Sequence, residues 1–284
     1  MAIPEASKPS VLSRILRRES NLNRLRSGPC TQAQLIGPQF QDWGMRLRER
    51  PMHLHRKVWE YCYITQALHE RDLLRPGMRG LGFAVGREPL TALFASLGCE
   101  IVATDLAVEE AAKGGWVETS QHAESLEALN GRGICPSDLF RQRVSFRVVD
   151  MRHIPDDLGI FDFTWSACSL EHLGSGARGE QFIFDSLSVV KPGGFAVHTT
   201  EYNVSSNRKT ITDGGTVLYR RRDLEQIAMR LHAAGHLIEV DFALGHMPAD
   251  SIIDRVPYRH ENHLKLELGG YIVTSFGLII QRAL

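Results

Sequence analysis

Hydrophobic and polar positions along the chain predict helices and strands in alternation from residue 56 onward. Apolar residues that recur every three or four positions, such as Leu90, Leu93 and Leu97, indicate helices. Short apolar runs that end at glycine, proline or aspartate indicate buried strands. The predicted helices are Arg56–Leu74, Pro89–Leu97, Arg178–Val190 and Arg222–Ala234, and the predicted strands are Arg79–Ala84, Glu100–Asp105, Val144–Val149, Ile160–Ala167, Phe195–Thr200, His236–Phe242 and Tyr271–Ile280.

Alternating strands and helices favour a parallel sheet that is covered by helices on both faces. The sequence therefore predicts an α/β fold with a Rossmann-like sheet of seven strands, most of them parallel. Ligands of such sheets bind beyond the carboxyl ends of the strands, where the strand order reverses. Residues that directly follow a strand are therefore the first candidates for a functional site.

Three regions of the chain fall outside this alternation. Residues 1–55 form an N-terminal extension rich in arginine, which is either a cap over the substrate, an oligomer arm or a frayed segment. Residues 56–284 form the main domain, with insertions at residues 108–141 and 243–270. Loops longer than about 15 residues in a compact domain are usually functional, so the second insertion is a candidate lid.

Composition narrows the function classes. The 33 basic residues balance the 33 acidic residues, which argues against a dedicated nucleic-acid binder. No apolar run is long enough to span a bilayer, and the N-terminal residues lack the apolar core of a signal peptide. Five dispersed cysteines without a C-x-x-C pair indicate reduced thiols, so a cytoplasmic location is expected.

Two features after the first two strands indicate a nucleotide-type ligand. Gly86 lies in a turn between a strand and a helix, where a missing side chain lets a ligand approach the backbone. Asp105 ends the next strand and could accept hydrogen bonds from both hydroxyls of a ribose. Either feature alone is weak, and Gly86 could serve only the turn.

Further motifs make the chain resemble the class I S-adenosylmethionine-dependent methyltransferases. They are the Phe161–Phe163 strand that leads to Glu171-His172-Leu173, and the Lys191–Gly194 turn before the next strand. The resemblance covers residues 79 to about 204 and implies an antiparallel last strand and S-adenosylmethionine (SAM) as the cofactor. The implied cofactor-binding residues are Gly82, Ala84 and Gly86 of the loop, Glu88, Asp105 for the ribose, and Asp150 and Met151 for the adenine.

The glycine loop departs from the family pattern. The family usually has an acid where Gly82 stands, and glycines where Ala84 and Glu88 stand. Glu88 could replace the missing acid as the partner of the cofactor ammonium group. Alternatively, it only places a negative charge at the N-terminus of a helix.

Three residues beyond strand ends are candidates for catalysis. Methyl transfer to a hydroxyl needs a general base. His172 is the first choice, because it follows the fourth strand and because the ordinary pKa of a histidine suits the task. Glu201 and Glu171 are the alternatives.

The candidates for contact with the acceptor lie in polar runs and in the insertions. They are Trp116, His198, Asn203, Asp254 and His263. Asp254 and His263 could also hold a divalent metal with one of the two glutamates, but no spacing is diagnostic and no metal is predicted.

The sequence thus predicts a methyltransferase that acts on a sugar, glycan or other small-molecule hydroxyl. The segments Arg56–Glu60 and His198–Asn203 also resemble a group of bacterial methyltransferases associated with glycan and surface-polysaccharide synthesis. The alternatives to that prediction are a protein or RNA methyltransferase and a non-catalytic SAM-binding subunit. A homo-oligomer is compatible with each of these interpretations. A nicotinamide oxidoreductase is disfavoured, since only two of the three glycines of G-x-G-x-x-G are present.

Overall fold

The computed structural model describes residues 24–116, 118, 122–123, 125–259 and 262–284. Residues 1–23 of the predicted N-terminal extension lie outside this part. The helices in it are α1 Gln32–Ile36, α2 Pro38–Arg46, α3 Arg56–His69, α4 Leu90–Ser96, α5 Val108–Lys113, α6 Ser137–Arg143, α7 Gly176–Ser188 and α8 Arg221–Ala233. The strands are β1 Gly28–Pro29, β2 Arg79–Gly82, β3 Glu100–Asp105, β4 Val144–Val148, β5 Phe161–Ala167, β6 Val190–Asn203, β7 Leu237–Ile238, β8 Ile253–Asp254, β9 Lys265–Leu268 and β10 Tyr271–Gln281.

These strands form one mixed sheet in the order β4-β3-β2-β5-β6-β10-β9-β8, and β1 and β7 also pair with β10. Strands β2 to β6 run parallel, whereas β10 is antiparallel to β6. The predicted α/β fold with an antiparallel last strand is confirmed. The strand order reverses between β2 and β5, so the topological switch point lies there.

The sheet has ten strands where seven were predicted. The predicted strand His236–Phe242 pairs with β10 only at Leu237 and Ile238. The later residues of the predicted strand pair with the segment before β1 instead. Ser27 forms a bridge with Val240, and the Asp241 N–H donates to the Ser27 carbonyl. The additional strands β1, β8 and β9 are too short to give a periodic signal.

Helices cover both faces of the sheet. Successive residues of a strand point to opposite faces, and Ala196 and Val197 of β6 accordingly belong to two different apolar clusters. Trp59 and Phe94 contribute to the cluster on one face, and Phe182 contributes to the cluster on the other. Burial of these apolar side chains is the main stabilising contribution to the fold.

Residues 24–55 pack against the same core as the residues that follow. The Trp43 indole donates a hydrogen bond to Gln66 of α3 (2.7 Å), and the Trp59 indole of α3 donates to Gln34 of α1 (2.7 Å). Strand β1 of this segment pairs with β10 in an antiparallel arrangement. This segment fixes the position of α3 above the sheet.

Among the described residues, no helix has both the length and the apolar character that a membrane crossing requires.

Candidate active site

A cleft of about 500 Å³ lies above the switch point between β2 and β5. Its walls are the loops that follow β2, β3, β4 and β5, together with one side of α3. Ligand pockets for small molecules and cofactors typically have volumes of about 300–1,000 Å³. The structure therefore brings the predicted strand-end residues together around a space of suitable size. Those that line the cleft are Ala84, Gly86, Glu88, Asp105, Trp116, Asp150, Met151 and His172.

The Gly86 loop and Asp105 are joined directly. Gly86 has a φ of +50°, a conformation that glycine adopts without strain. Its N–H donates a hydrogen bond to Asp105 Oδ2 (2.9 Å), and the Leu106 N–H donates to Oδ1 (2.8 Å). Each carboxylate oxygen can accept a second hydrogen bond, so Asp105 can still bind a diol from the cleft. Burial raises the pKa of Asp105.

Gly82 is buried beneath this loop, outside the residues that line the cleft. A Cβ at Gly82 would lie 2.4 Å from the Trp165 ring and 2.5 Å from a Val85 methyl carbon. The glycine is therefore needed for packing between strand and loop. Ala84 and Cys168, on either side of the cleft, both have a φ of +47°. Non-glycine residues in this region cost roughly 1–3 kcal/mol each and are concentrated at functional sites.

Glu88 lies at the cleft wall and is almost completely buried. Burial raises its pKa to about 8, although the Trp165 indole N–H donates a 2.5 Å hydrogen bond to its Oε1 atom. The carboxyl group is thus mostly protonated near pH 7. A cationic ligand group in the cleft would favour its ionised form.

Asp150 has an internal partner that the sequence did not reveal. The Arg152 guanidinium donates to both carboxylate oxygens, at 2.6 Å and 2.9 Å, and the Arg152 N–H donates to Oδ1. Partial burial opposes ionisation, but Arg152 holds the pKa of Asp150 below its ordinary value. Asp150 and Met151 both line the cleft, and Arg152 stands beside them at its rim.

His172 and Trp116 form one side of the cleft. The two rings are in edge contact, with centroids 4.6 Å apart and planes at 63°. His172 Nδ1 lies 2.8 Å from the Gly215 carbonyl oxygen, which can only accept a hydrogen bond. Nδ1 therefore carries the proton, and Nε2 has an available lone pair. Within the described part of the chain, no group binds Nε2.

Lys57 and Tyr61 are cleft residues that the sequence interpretation missed. They are four positions apart on α3, so they lie on the same side of the helix. Their spacing is visible in the sequence. Which side of α3 faces the cleft depends on the packing of α1 and α2 against the opposite side, and no local pattern encodes that packing.

A network of buried charges lies behind Lys57. Glu60, which is 0% exposed, accepts hydrogen bonds from Lys57 Nζ (3.0 Å) and from Ser275 Oγ (2.5 Å). Arg56 forms an ion pair with Glu201, which is 5% exposed. Glu201 is therefore paired with Arg56 and does not line the cleft, whereas the sequence predicted it as a catalytic residue there.

Glu171 is also behind the cleft wall, and it is fully buried. Its Oε2 atom accepts a hydrogen bond from Thr200 (3.1 Å). Donor atoms of Cys168, Glu171 and Glu201 lie within 4.8 Å of one another. This geometry alone would admit a metal ion. However, Glu201 already forms an ion pair with the Arg56 guanidinium, and burial keeps the Cys168 thiol protonated by raising its pKa. These three donors therefore do not fit a metal ion.

His198 does not reach the cleft, which corrects its assignment as an acceptor-binding residue. It is 0% exposed, and its two ring nitrogens form hydrogen bonds with Ser166 (2.9 Å) and Ser186 (3.0 Å). Burial lowers its pKa to about 3. The ring therefore joins β5, β6 and α7 as a neutral structural group.

Asn203 is likewise structural. Its side-chain amide donates to the Lys209 carbonyl (3.1 Å), and its Oδ1 atom accepts from the backbone N–H of Ser205 (3.0 Å) and Ser206 (3.1 Å). It thereby holds the turn that follows β6, and it does not line the cleft.

Asp254 and His263 are close together but lie away from the cleft. His263 Nδ1 is 3.4 Å from Asp254 Oδ2, and the His263 ring contacts the ring of His55 at a centroid distance of 4.4 Å. The insertion that carries them contributes β8 and β9 to the edge of the sheet. None of its described residues lines the cleft, so the lid interpretation of residues 243–270 lacks a structural basis in this part of the chain.

No known family model matches the sequence, and no curated protein does so either. Several solved structures are similar to this chain. The [4+2]-cyclase SpnF is 21% identical, with 61% of this chain and 58% of that chain aligned and a TM-score of 0.40. The chain thus spans less than two thirds of the length of that protein.

Two others align over more of their length. An S-adenosylmethionine-dependent methyltransferase from Clostridium acetobutylicum ATCC 824 is 12% identical, with 81% of this chain and 92% of that chain aligned and a TM-score of 0.45. The magnesium protoporphyrin IX methyltransferase ChlM from Synechocystis PCC 6803, solved with bound SAM, is 12% identical, with 89% and 95% aligned and a TM-score of 0.43.

Proposed function

We propose that the protein is a SAM-dependent methyltransferase that acts on a hydroxyl group of a small molecule. The observation that carries the proposal is the arrangement across the cleft. Asp105 and the Gly86 loop lie on one side, and the unpaired Nε2 atom of His172 lies on another. The first pair suits the ribose of the cofactor, and the histidine suits an acceptor that must lose a proton.

The residues present fit this cofactor. Asp105 can accept hydrogen bonds from the ribose hydroxyls with its remaining lone pairs, and Met151 contributes to the cleft beyond β4. Glu88 can pair with an ammonium group once it is ionised. When bound, the cofactor supplies an activated methyl group on sulfur. Lys57 and Tyr61 close the cleft from the side of α3.

His172 would take the proton of the acceptor hydroxyl with its Nε2 atom. The hydrogen bond from Nδ1–H to the Gly215 carbonyl fixes the ring orientation and the tautomer. Trp116 offers an aromatic surface beside the His172 ring, and an aromatic ring can pack against the apolar face of a sugar. These two features support a sugar or glycan hydroxyl as the acceptor.

Calorimetry and a transfer assay test the proposal together. We expect binding of SAM and of S-adenosylhomocysteine (SAH), and no binding of NAD. We then expect transfer of a labelled methyl group from SAM to members of a panel of sugars and glycosides. Tight NAD binding would overturn the proposal. Binding of SAM without transfer to sugar, protein or RNA acceptors would favour a non-catalytic subunit.

Replacing Asp105 by alanine is expected to weaken SAM binding strongly. Each charge-assisted hydrogen bond that is lost costs about 1.5–3 kcal/mol, so the dissociation constant should rise by at least tenfold. Calorimetry measures the change. Asp157→Ala is the matched control, since Asp157 is exposed and pairs with Arg147 outside the cleft. Equal affinity of the Asp105 variant and the parent protein would remove Asp105 from the site.

Replacing Glu88 by glutamine is expected to abolish a pH dependence of SAM binding. The pKa of Glu88 in the free protein is about 8, so below this pH the carboxyl group must lose a proton to pair with the ammonium group. The affinity of the parent should therefore rise as the pH increases toward 8 and then level off. The variant should bind more weakly and lack this rise. Calorimetry across pH 6 to pH 9 at about 0.1 M salt would show this, and an unchanged profile would contradict the assignment.

A further inference from the structure

Two buried carboxyl groups next to the cleft lack partners for one oxygen each. They are Glu171 Oε1 and Glu201 Oε2, and no group in the described part of the chain forms a hydrogen bond with either. Glu171 is 0% exposed and Glu201 is 5% exposed. Leaving one buried charged oxygen without a partner is costly, and here two such oxygens belong to residues whose donor atoms lie within 4.8 Å.

The charges around this pair do not balance if all the acids are ionised. The cations that face it are Arg56 and Lys57 of α3. The acids are Glu60 of the same helix, Glu171 after β5 and Glu201 of β6. Three negative charges would then face two positive charges in a buried region, which is unfavourable. One proton on the Glu171–Glu201 pair removes the excess charge.

The other titratable neighbours do not supply the positive charge that would balance the three acids. Burial keeps the thiol of Cys168 neutral by raising its pKa, and it does the same for the phenol of Tyr219. His172 directly follows Glu171 in the chain. Its Nδ1 atom donates to the Gly215 carbonyl, and its ring lines the cleft. Burial together with the charge of Glu201 raises the pKa of Glu171, in agreement with the charge balance.

Cys168 lies next to both the cleft and this pair. It lines the cleft, and its sulfur lies within 4.8 Å of an oxygen of each carboxyl group. A charge in the cleft therefore acts on the pair over a short distance through buried protein, where electrostatic interactions are stronger than in water. SAM carries a positive sulfonium, whereas the sulfur of SAH is neutral.

We propose that Glu171, beside Glu201, carries a proton while the cleft is empty or holds SAH, and releases it when SAM binds. This inference rests on the proposed function. It gives the pair the role of an adjustable counter-charge for the sulfonium. The methyl C–S bond breaks with its electron pair left on sulfur, and the acceptor oxygen forms the new bond and gives its proton to His172. Glu171 then regains one proton from the solvent, and His172 gives the proton of the acceptor to the solvent, so that the product complex is neutral again at this point.

Proton release on binding tests the inference. Calorimetric titrations of the parent protein with SAM and with SAH, each in buffers of different ionisation enthalpy, count the protons released. We expect SAM to release about one proton more than SAH at pH 7. The difference should disappear in Glu171→Gln. In Glu88→Gln, the release should change for SAM and SAH alike, because both carry the same ammonium group.

A second measurement needs no variant. The infrared absorption of a protonated carboxyl group should be present in the SAH complex of the parent and lost in the SAM complex. Equal proton release by SAM and SAH, with no change in this band, would overturn the inference and would be expected if a water molecule joined the two groups. Absence of binding by both ligands would instead overturn the proposed function.

Discussion

Replacing His172 by alanine is expected to lower kcat for methyl transfer by about 10²–10⁴-fold. The reason is that Nδ1 of this ring donates to the Gly215 carbonyl, which leaves a lone pair on Nε2 in a side chain that lines the cleft. A hydroxyl attacks poorly while it keeps its proton, so the base acts mainly in the transition state. The affinity for SAM should change little, because Asp105 and the Gly86 loop are untouched.

Single-turnover kinetics with saturating SAM would separate this effect from product release. His232→Ala is a matched control, since His232 is exposed on α8 and outside the cleft. A second variant, Thr216→Val, probes the positioning of the ring, because Thr216 Oγ1 lies 3.3 Å from Nδ1. Near-parental kcat in the His172 variant would mean that the acceptor needs no base here. An amine acceptor would then be favoured over a hydroxyl.

The sequence was sufficient for the fold because the signals that define it are local. Helix α4 and strands β2, β3 and β5 show clear periodicity or buried runs, and they are found close to their predicted bounds. The alternation of these elements implies a parallel sheet and places its ligand site at the carboxyl ends. Gly86, Asp105 and His172 could therefore be located near one another before any coordinates were known.

The rest of the site depends on contacts between distant segments. The polar run from His198 to Asn203 has the composition of a binding site, and the structure gives its members internal partners. His198 is satisfied by Ser166 and Ser186, and Glu201 pairs with Arg56, which lies 145 positions earlier. A buried polar residue and a ligand-binding residue look alike in a sequence, since both need a partner.

Removing the Arg56 side chain is expected to destabilise the protein by about 3–5 kcal/mol. Arg56 is the cation nearest to Glu201, and it lies 3.9 Å from Glu60 as well. In Arg56→Met, two buried carboxylates would lose a counter-charge, and the desolvation cost of those groups would no longer be offset. Burial disfavours the charged form of Arg56, but the nearby carboxylates outweigh burial and raise its pKa.

The double variant Arg56→Met/Glu201→Met distinguishes a lost pair from lost packing. Removing both charges also removes the uncompensated carboxylate, so the double variant should be more stable than Arg56→Met alone. Urea unfolding followed by fluorescence and circular dichroism gives the free energies. Arg75→Met is the control, because the Arg75–Asp72 pair is exposed and should contribute less than about 1 kcal/mol. If the double variant loses the sum of the two single effects, the two side chains act independently. The charge balance assigned to the residues behind the cleft would then be wrong, and the proton proposed on Glu171 would lose its electrostatic basis.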